Sequence, residues 1–331
     1  MNNAFITRTL RASLVALGCG LASLAAIAQA SADGAPPVAV PAQRVAHALQ
    51  AEMLGIAGAG PRFVAVGDHG VVLLSDDAGK AWRQAKSVPV DVKLNSTSFV
   101  DAKQGWAVGH RGVILHTQDG GETWALQRMA AQEDRPLFAV HFFDASHGVA
   151  VGLWSLVLVT DDGGKSWKEQ KLTPPPGSKT ADLNLLALFA DGKGRLLATA
   201  EKGMLLVSDD QGHAWRYIET GYKGSFWTGV AVDNAWVVAG LRGSLYRSTD
   251  DGAHWDRIDT HSTSSITGLA ARGSRVLAVG LDGLVLDSQD GGAHFKPALR
   301  EDRLSLTAAT LLPDDKAILL SRSGPVDAAS R

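Results

Sequence analysis

The stretch "TDDGGKSW", Thr160 to Trp167, sets two adjacent acids and two glycines ahead of a tryptophan. It returns as "SDDAGKAW" (75–82), "TQDGGETW" (117–124), "SDDQGHAW" (208–215), "STDDGAHW" (248–255) and "SQDGGAHF" (288–295). The shared pattern is Ser/Thr-x-Asp-x-Gly-x-x-aromatic. The closing aromatics are separated by 42, 43, 48, 40 and 40 residues. Self-similarity at a period of about 40–45 residues suits one propeller blade per repeat.

The sequence around each octapeptide fits a four-stranded blade. In the third repeat the pattern predicts strands over 137–143, 148–152, 156–160 and 166–170, with turns at Asp144–His147, Trp154 and Asp161–Lys165. Short β-rich runs divided by Gly, Asp and Ser are hairpin signals. Runs such as "LVLV" (156–159) are apolar on both faces, as a sheet packed between two neighbours requires. No long amphipathic helix is legible between Glu52 and Ser323.

The octapeptide then falls on the turn between the third and fourth strands. There an aspartate accepts hydrogen bonds from the turn backbone, a glycine supplies a positive φ, and the aromatic packs back onto the blade. Structural roles are expected for Asp77, Asp119, Asp162, Asp210, Asp250 and Asp290. The same holds for Gly79, Gly121, Gly164, Gly212, Gly252 and Gly292.

These residues resemble the Asp-box, or bacterial neuraminidase repeat. The fuller unit "GWAVGHRGVILHTQDGGETW" (105–124) is similar to the photosystem II stability/assembly factor family. The resemblance covers about residues 50–325 and implies a secreted or lumenal seven-bladed propeller. It also implies a protein partner, which in non-photosynthetic bacteria belongs to envelope or exporter systems.

The N-terminus places Arg8 and Arg11 before an apolar run from Ala12 to Ala28, then Ala28-Gln29-Ala30 and Ala30-Ser31-Ala32. This reads as a cleaved signal peptide over residues 1–32, with a single propeller domain over 33–331 in the periplasm. The run is short and holds Gly and Ser, which argues against a membrane span. Cys19, the single cysteine, lies inside it, too early for a lipoprotein box. Removing Arg8 and Arg11 takes the formal charge from −2 to −4. A nucleic-acid partner would call for a basic domain.

Six octapeptides end at Phe295, and residues 304–327 supply only two or three more strands. Seven blades are expected, the last completed by an outer strand from residues 35–48. Six blades with a loose C-terminal hairpin is the alternative.

Catalysis and metal binding find little support. Glycosidase carboxyls face each other across a sugar, about 5–9 Å apart, whereas Asp161–Asp162 and similar pairs are neighbours on one turn. A sialidase-like site would need a tyrosine nucleophile. Tyr217, Tyr222 and Tyr246 sit in no matching context, and the Arg-Ile-Pro signature is absent, Pro61-Arg62-Phe63 being the nearest. The ten histidines show no metal-ligand spacing; His213, His254 and His294 recur on separate blade tips. No cofactor is expected.

Binding is the remaining class. Turns between second and third strands differ from blade to blade and lie opposite the uniform octapeptides. Function concentrates on such loops, and Arg and Trp are common at binding hot spots. Arg111, Trp154, Lys202 and Arg242 are therefore candidate partner contacts, joined by Phe226 and Trp227 in the loop "TGYKGSFWTG" (220–229). The long loop "TPPPGSKTADLN" (173–184) adds variation on the same face. The expectation is a monomeric, non-enzymatic scaffold that binds a protein partner and assists an envelope or photosystem-like membrane complex. A carbohydrate-active enzyme and a peptide-binding receptor-like propeller are the rival classes.

Overall fold

The computed structural model describes residues 39–130 and 132–326; the leader expected over 1–32 lies outside them. The chain forms seven antiparallel sheets, each a meander pairing its strands in sequence order. We number the blades along the chain as 53–84, 94–128, 137–169, 185–219, 226–258, 266–299 and 306–326. Strands are lettered A to D from the axis outward. The A strands of successive blades touch around a closed circuit, with blade 7 returning to blade 1. The fold is an all-β, seven-bladed propeller. Its helical pieces among the described residues are 3₁₀ turns of three residues.

Blade 3 shows how the sequence makes a blade. Its strands are Leu137–Phe142, Gly148–Gly152, Val157–Thr160 and Lys168–Glu169. The outer strand is shorter than its expected span because the preceding residues are held in a side-chain-bonded turn. Apolar residues on both faces of strands B and C serve two different interfaces. Val149, Val151, Val157 and Val159 join Leu185, Leu196 and Leu206 of blade 4 in one buried cluster. Phe142, Leu156 and Leu158 face Trp106, Val108 and Ile114 of blade 2. The core therefore lies between blades, and each blade depends on its neighbours for burial.

Adjacent A strands converge on the axis without sharing a hydrogen-bond ladder. Side chains supply bridges there. Asn95 Nδ2 donates to the Leu137 carbonyl (2.7 Å), Thr267 Oγ1 to that of Leu306 (2.8 Å) and Thr307 Oγ1 to that of Met53 (2.5 Å). Ser98 Oγ accepts from Phe142 N (3.1 Å). Such bridges satisfy backbone groups that burial would otherwise leave unpaired.

Ring closure differs from the expectation of a composite blade. Blade 7 holds three strands, Leu306–Leu311, Ala317–Ser321 and Gly324–Val326. Within the proposed outer strand, 35–48, the described part 39–48 forms no strand. Two of its donors are engaged by blade 1 and the connection that follows it instead: Ala42 N donates to Val88 O (3.0 Å) and Val45 N to Gln84 Oε1 (3.1 Å). The turn Ala48–Gln50 then rests on Gly324–Val326. Pro325 removes a backbone donor from this open-edged strand, a device that discourages further pairing. Packing closes the ring: Met53, Ala65 and Leu73 of blade 1 share a buried cluster with Leu320 of blade 7.

Candidate functional site

The two ends of the propeller have different chemistry. At one end each octapeptide forms a C–D turn. In blade 3 Thr160 Oγ1 donates to Asp162 (2.8 Å) and accepts from Gly164 N (2.8 Å). Asp162 also accepts from Ser166 N (2.9 Å) and Ser166 Oγ (2.6 Å). The same hydroxyl–carboxylate pair closes the turns at Asp77, Asp119, Asp210, Asp250 and Asp290. The six turn glycines named above take φ between 79° and 95°, where a side chain would be strained. The Ser166 hydroxyl and N–H hold the Asp162 carboxyl at about 2, and the His254 N–H and ring do the same for Asp250. These carboxylates are engaged as turn acceptors.

Their sequence neighbours meet basic side chains. Asp76 meets Arg62 (2.6 Å), Asp251 meets Arg195 (2.5 Å), and Asp161 meets His213 of the next blade (3.2 Å). His254 and His294 close on Asp250 and Asp290 of their own turns (2.6 and 2.7 Å). Among the described residues no three His, Cys, Asp or Glu side chains gather as a metal site.

At the other end lie the B–C turns. Their tip residues in blades 1 to 6 are His69, Arg111, Trp154, Lys202, Arg242 and Asp282, all left-handed with φ of 51–58°. The following residue is left-handed too, so two positive-φ residues close each hairpin, as the twist of paired strands favours. That residue is glycine in five blades and Ser155 in blade 3 (φ 55°). Ser155 is held there by the long loop: its N–H donates to Leu183 O (2.7 Å), while Trp154 N donates to Asn184 Oδ1 (3.2 Å).

This geometry brings Arg111, Trp154, Lys202 and Arg242 to equivalent exposed positions on four consecutive blades. Trp154 is 58% exposed. Among the described residues Arg111, Lys202 and Arg242 have no carboxylate partner. Phe226 does not belong with them. It is fully buried between blades 4 and 5, with Phe189 and Trp236, which removes it from any contact surface. Trp227 is half-buried and lines the axial channel.

Trp227 belongs to a feature that the linear reading missed. Every A strand has a register shift at its second residue, where an extra residue is inserted opposite the end of strand B. The residue before each shift is fully buried: Met53, Leu94, Leu137, Leu185, Phe226, Ile266 and Leu306. The inserted residue lines the channel instead, since a bulge re-aims its side chain. Blades 1, 3, 4 and 5 contribute Leu54, Phe138, Leu186 and Trp227. Blades 2, 6 and 7 contribute Asn95, Thr267 and Thr307. Together they form a collar at the B–C end of a channel of about 520 Å³. The available sequence signal was a recurring triplet of large apolar, variable and small residue, as in "LFA" (137–139) and "LLA" (185–187).

The model of the family described as photosynthesis system II assembly factor YCF48 matches residues 74–175 and 128–274. No curated protein matches the chain. Many solved structures share the fold, and two of them carry the family's description. One, described as YCF48 bound to D1 peptide, is 18% identical with a TM-score of 0.69, over 84% of this chain and 92% of that one. The other, YCF48 from Cyanidioschyzon merolae, is 17% identical with a TM-score of 0.66, over 84% and 95%. Seven blades in a closed ring, with family matches running from residue 74 to residue 274, lead to one assignment: the chain belongs to the photosynthesis system II assembly factor YCF48 family.

Proposed function

We propose that this propeller is a periplasmic binding scaffold without catalytic chemistry of its own. It holds a protein partner at the B–C end and assists a membrane complex of the envelope, or one like a photosystem, to assemble. The observation that carries the reading is the rim. Arg111, Lys202 and Arg242 stand unpaired among the described residues, with exposed Trp154 among them, on rigid two-residue turns. Cations spread over several blades form an arc, which suits an extended acidic or polar surface. The opposite end offers carboxylates already engaged by turn donors and arginines, a poor start for acid–base chemistry. Family membership and the peptide-bound structural neighbour add support.

The test is capture from native envelope extract. Wild type retains its partner at low salt. The double variant Arg111→Glu/Arg242→Glu loses it, because rim charges act on association rate and salt sensitivity. Both residues are exposed, so the melting temperature stays within a few degrees (about 1 kcal/mol or less). Undiminished capture by the folded double variant moves the binding surface elsewhere.

A further inference from the structure

The collar is built unlike a plugged channel. Phe138, Leu186 and Trp227 come from three consecutive blades, and each is half-buried, facing the channel. They make a continuous apolar crescent. Beyond it, blades 6, 7 and 1 bring Thr267, Thr307 and Leu54, and the two threonine hydroxyls are already bound to backbone carbonyls of the next blade. A volume of about 520 Å³ stays open between them. That is within the roughly 300–1,000 Å³ of typical ligand pockets. At the lip Arg322 lies 3.5 Å from Glu52, and Glu52 also pairs with Lys93 (2.7 Å). Among the described residues no charged side chain lines the channel below them.

We propose that the collar is a socket for one large apolar side chain of the protein partner, with acidic residues flanking that side chain on the rim. This rests on the binding reading above and names the chemistry of the bound segment. The apolar crescent gives a side chain a dry wall on one side of the mouth. Arg111, Lys202 and Arg242 on the surrounding turns meet the flanking carboxylates. The bulges fix the socket, because each collar residue follows a residue with no exposed surface. A ligand entering it needs little rearrangement, which favours affinity.

Two capped peptides test the socket in a calorimetric titration at low salt: Asp-Asp-Phe-Asp-Asp and Asp-Asp-Ala-Asp-Asp. Burying the phenyl group makes the first bind about 10- to 100-fold tighter than the second. Leu186→Arg erases that difference. Arg111→Glu/Arg242→Glu weakens both peptides by the same factor and leaves the difference intact. If Leu186→Arg fails to fold, Leu186→Ala takes its place, with a several-fold loss of the difference. Equal binding of the two peptides to wild type, or no binding of either, overturns the socket. Partner capture that survives Leu186→Arg but not the double charge reversal also overturns it, and leaves the proposed function standing.

Discussion

Replacing Gly240 with alanine tests whether the bulge of blade 5 depends on a missing side chain. Gly240 ends strand Ala235–Gly240 and pairs with Phe226, the residue before the inserted Trp227. Its φ is −178°, outside the left-handed region that favours glycine. The obstacle is steric. An added Cβ would sit 2.2 Å from the Ser225 carbonyl oxygen, 2.9 Å from Trp227 N and 3.0 Å from Phe226 Cα. Non-bonded atoms prefer about 3.5 Å, so the start of the A strand must withdraw by about 1 Å. Phe226 is fully buried, and its displacement disturbs the core between blades 4 and 5. Overpacking of this kind costs about 1–3 kcal/mol. At about 2–4 °C per kcal/mol, the melting temperature falls by about 2–12 °C. Gly58→Ala is the control. That glycine also lies in an A strand, but its Cβ would meet only the Phe63 ring at 3.9 Å. Alanine there is neutral or stabilising by up to about 1 kcal/mol. Urea unfolding followed by tryptophan fluorescence, with thermal melts by circular dichroism, separates the two variants. Equal stability of Gly240→Ala and Gly58→Ala would refute the steric account of the bulge.

Two further measurements address other parts of the ring. Burial pushes the His141 imidazole down to about 4, so the folded state resists protonation that the unfolded chain accepts below about 6.5. Stability is therefore lost as pH falls from about 6.5 to about 4, by up to about 3 kcal/mol. In His141→Gln this part of the pH dependence disappears; an identical profile in wild type and variant assigns it to other groups. Asp119 accepts from Thr117 Oγ1 (2.8 Å), Thr123 N (2.9 Å) and Thr123 Oγ1 (2.6 Å). Asp119→Ala costs about 1 kcal/mol in urea unfolding at neutral pH and leaves peptide affinity unchanged. The carboxyl's folded-state value is depressed, so its contribution is present above about 4 and fades as pH falls further, where the variant and wild type converge. Full stability with lost binding would instead give the octapeptide face a functional role.

How much was legible in the chain follows from the range of each interaction. The octapeptide turns are local. Ser or Thr, Asp and Gly lie within five residues and satisfy one another, so pattern and geometry agree blade after blade. The rim was legible for the same reason: a two-residue turn between apolar strands has one tip, and Arg111, Trp154, Lys202 and Arg242 occupy four of them. The sequence by itself thus determined the repeat, the strand order within a blade, and the residues presented at both ends. Tertiary structure decided the rest, because it depends on neighbouring blades. Phe226 and Trp227 are adjacent aromatics that no periodicity distinguishes. The bulge sends one into the core between blades 4 and 5 and the other into the channel. Blade 7 has no octapeptide, yet Leu320 completes the buried cluster of blade 1, so packing closes the ring where the repeat is missing. Residues 39–48 belong to the stretch expected to complete blade 7, but Ala42 N and Val45 N are bonded to Val88 and Gln84 instead. In each case the physical reason is the same. A propeller buries its apolar surface between blades, and which face of a residue meets the next blade is set only when the ring is assembled.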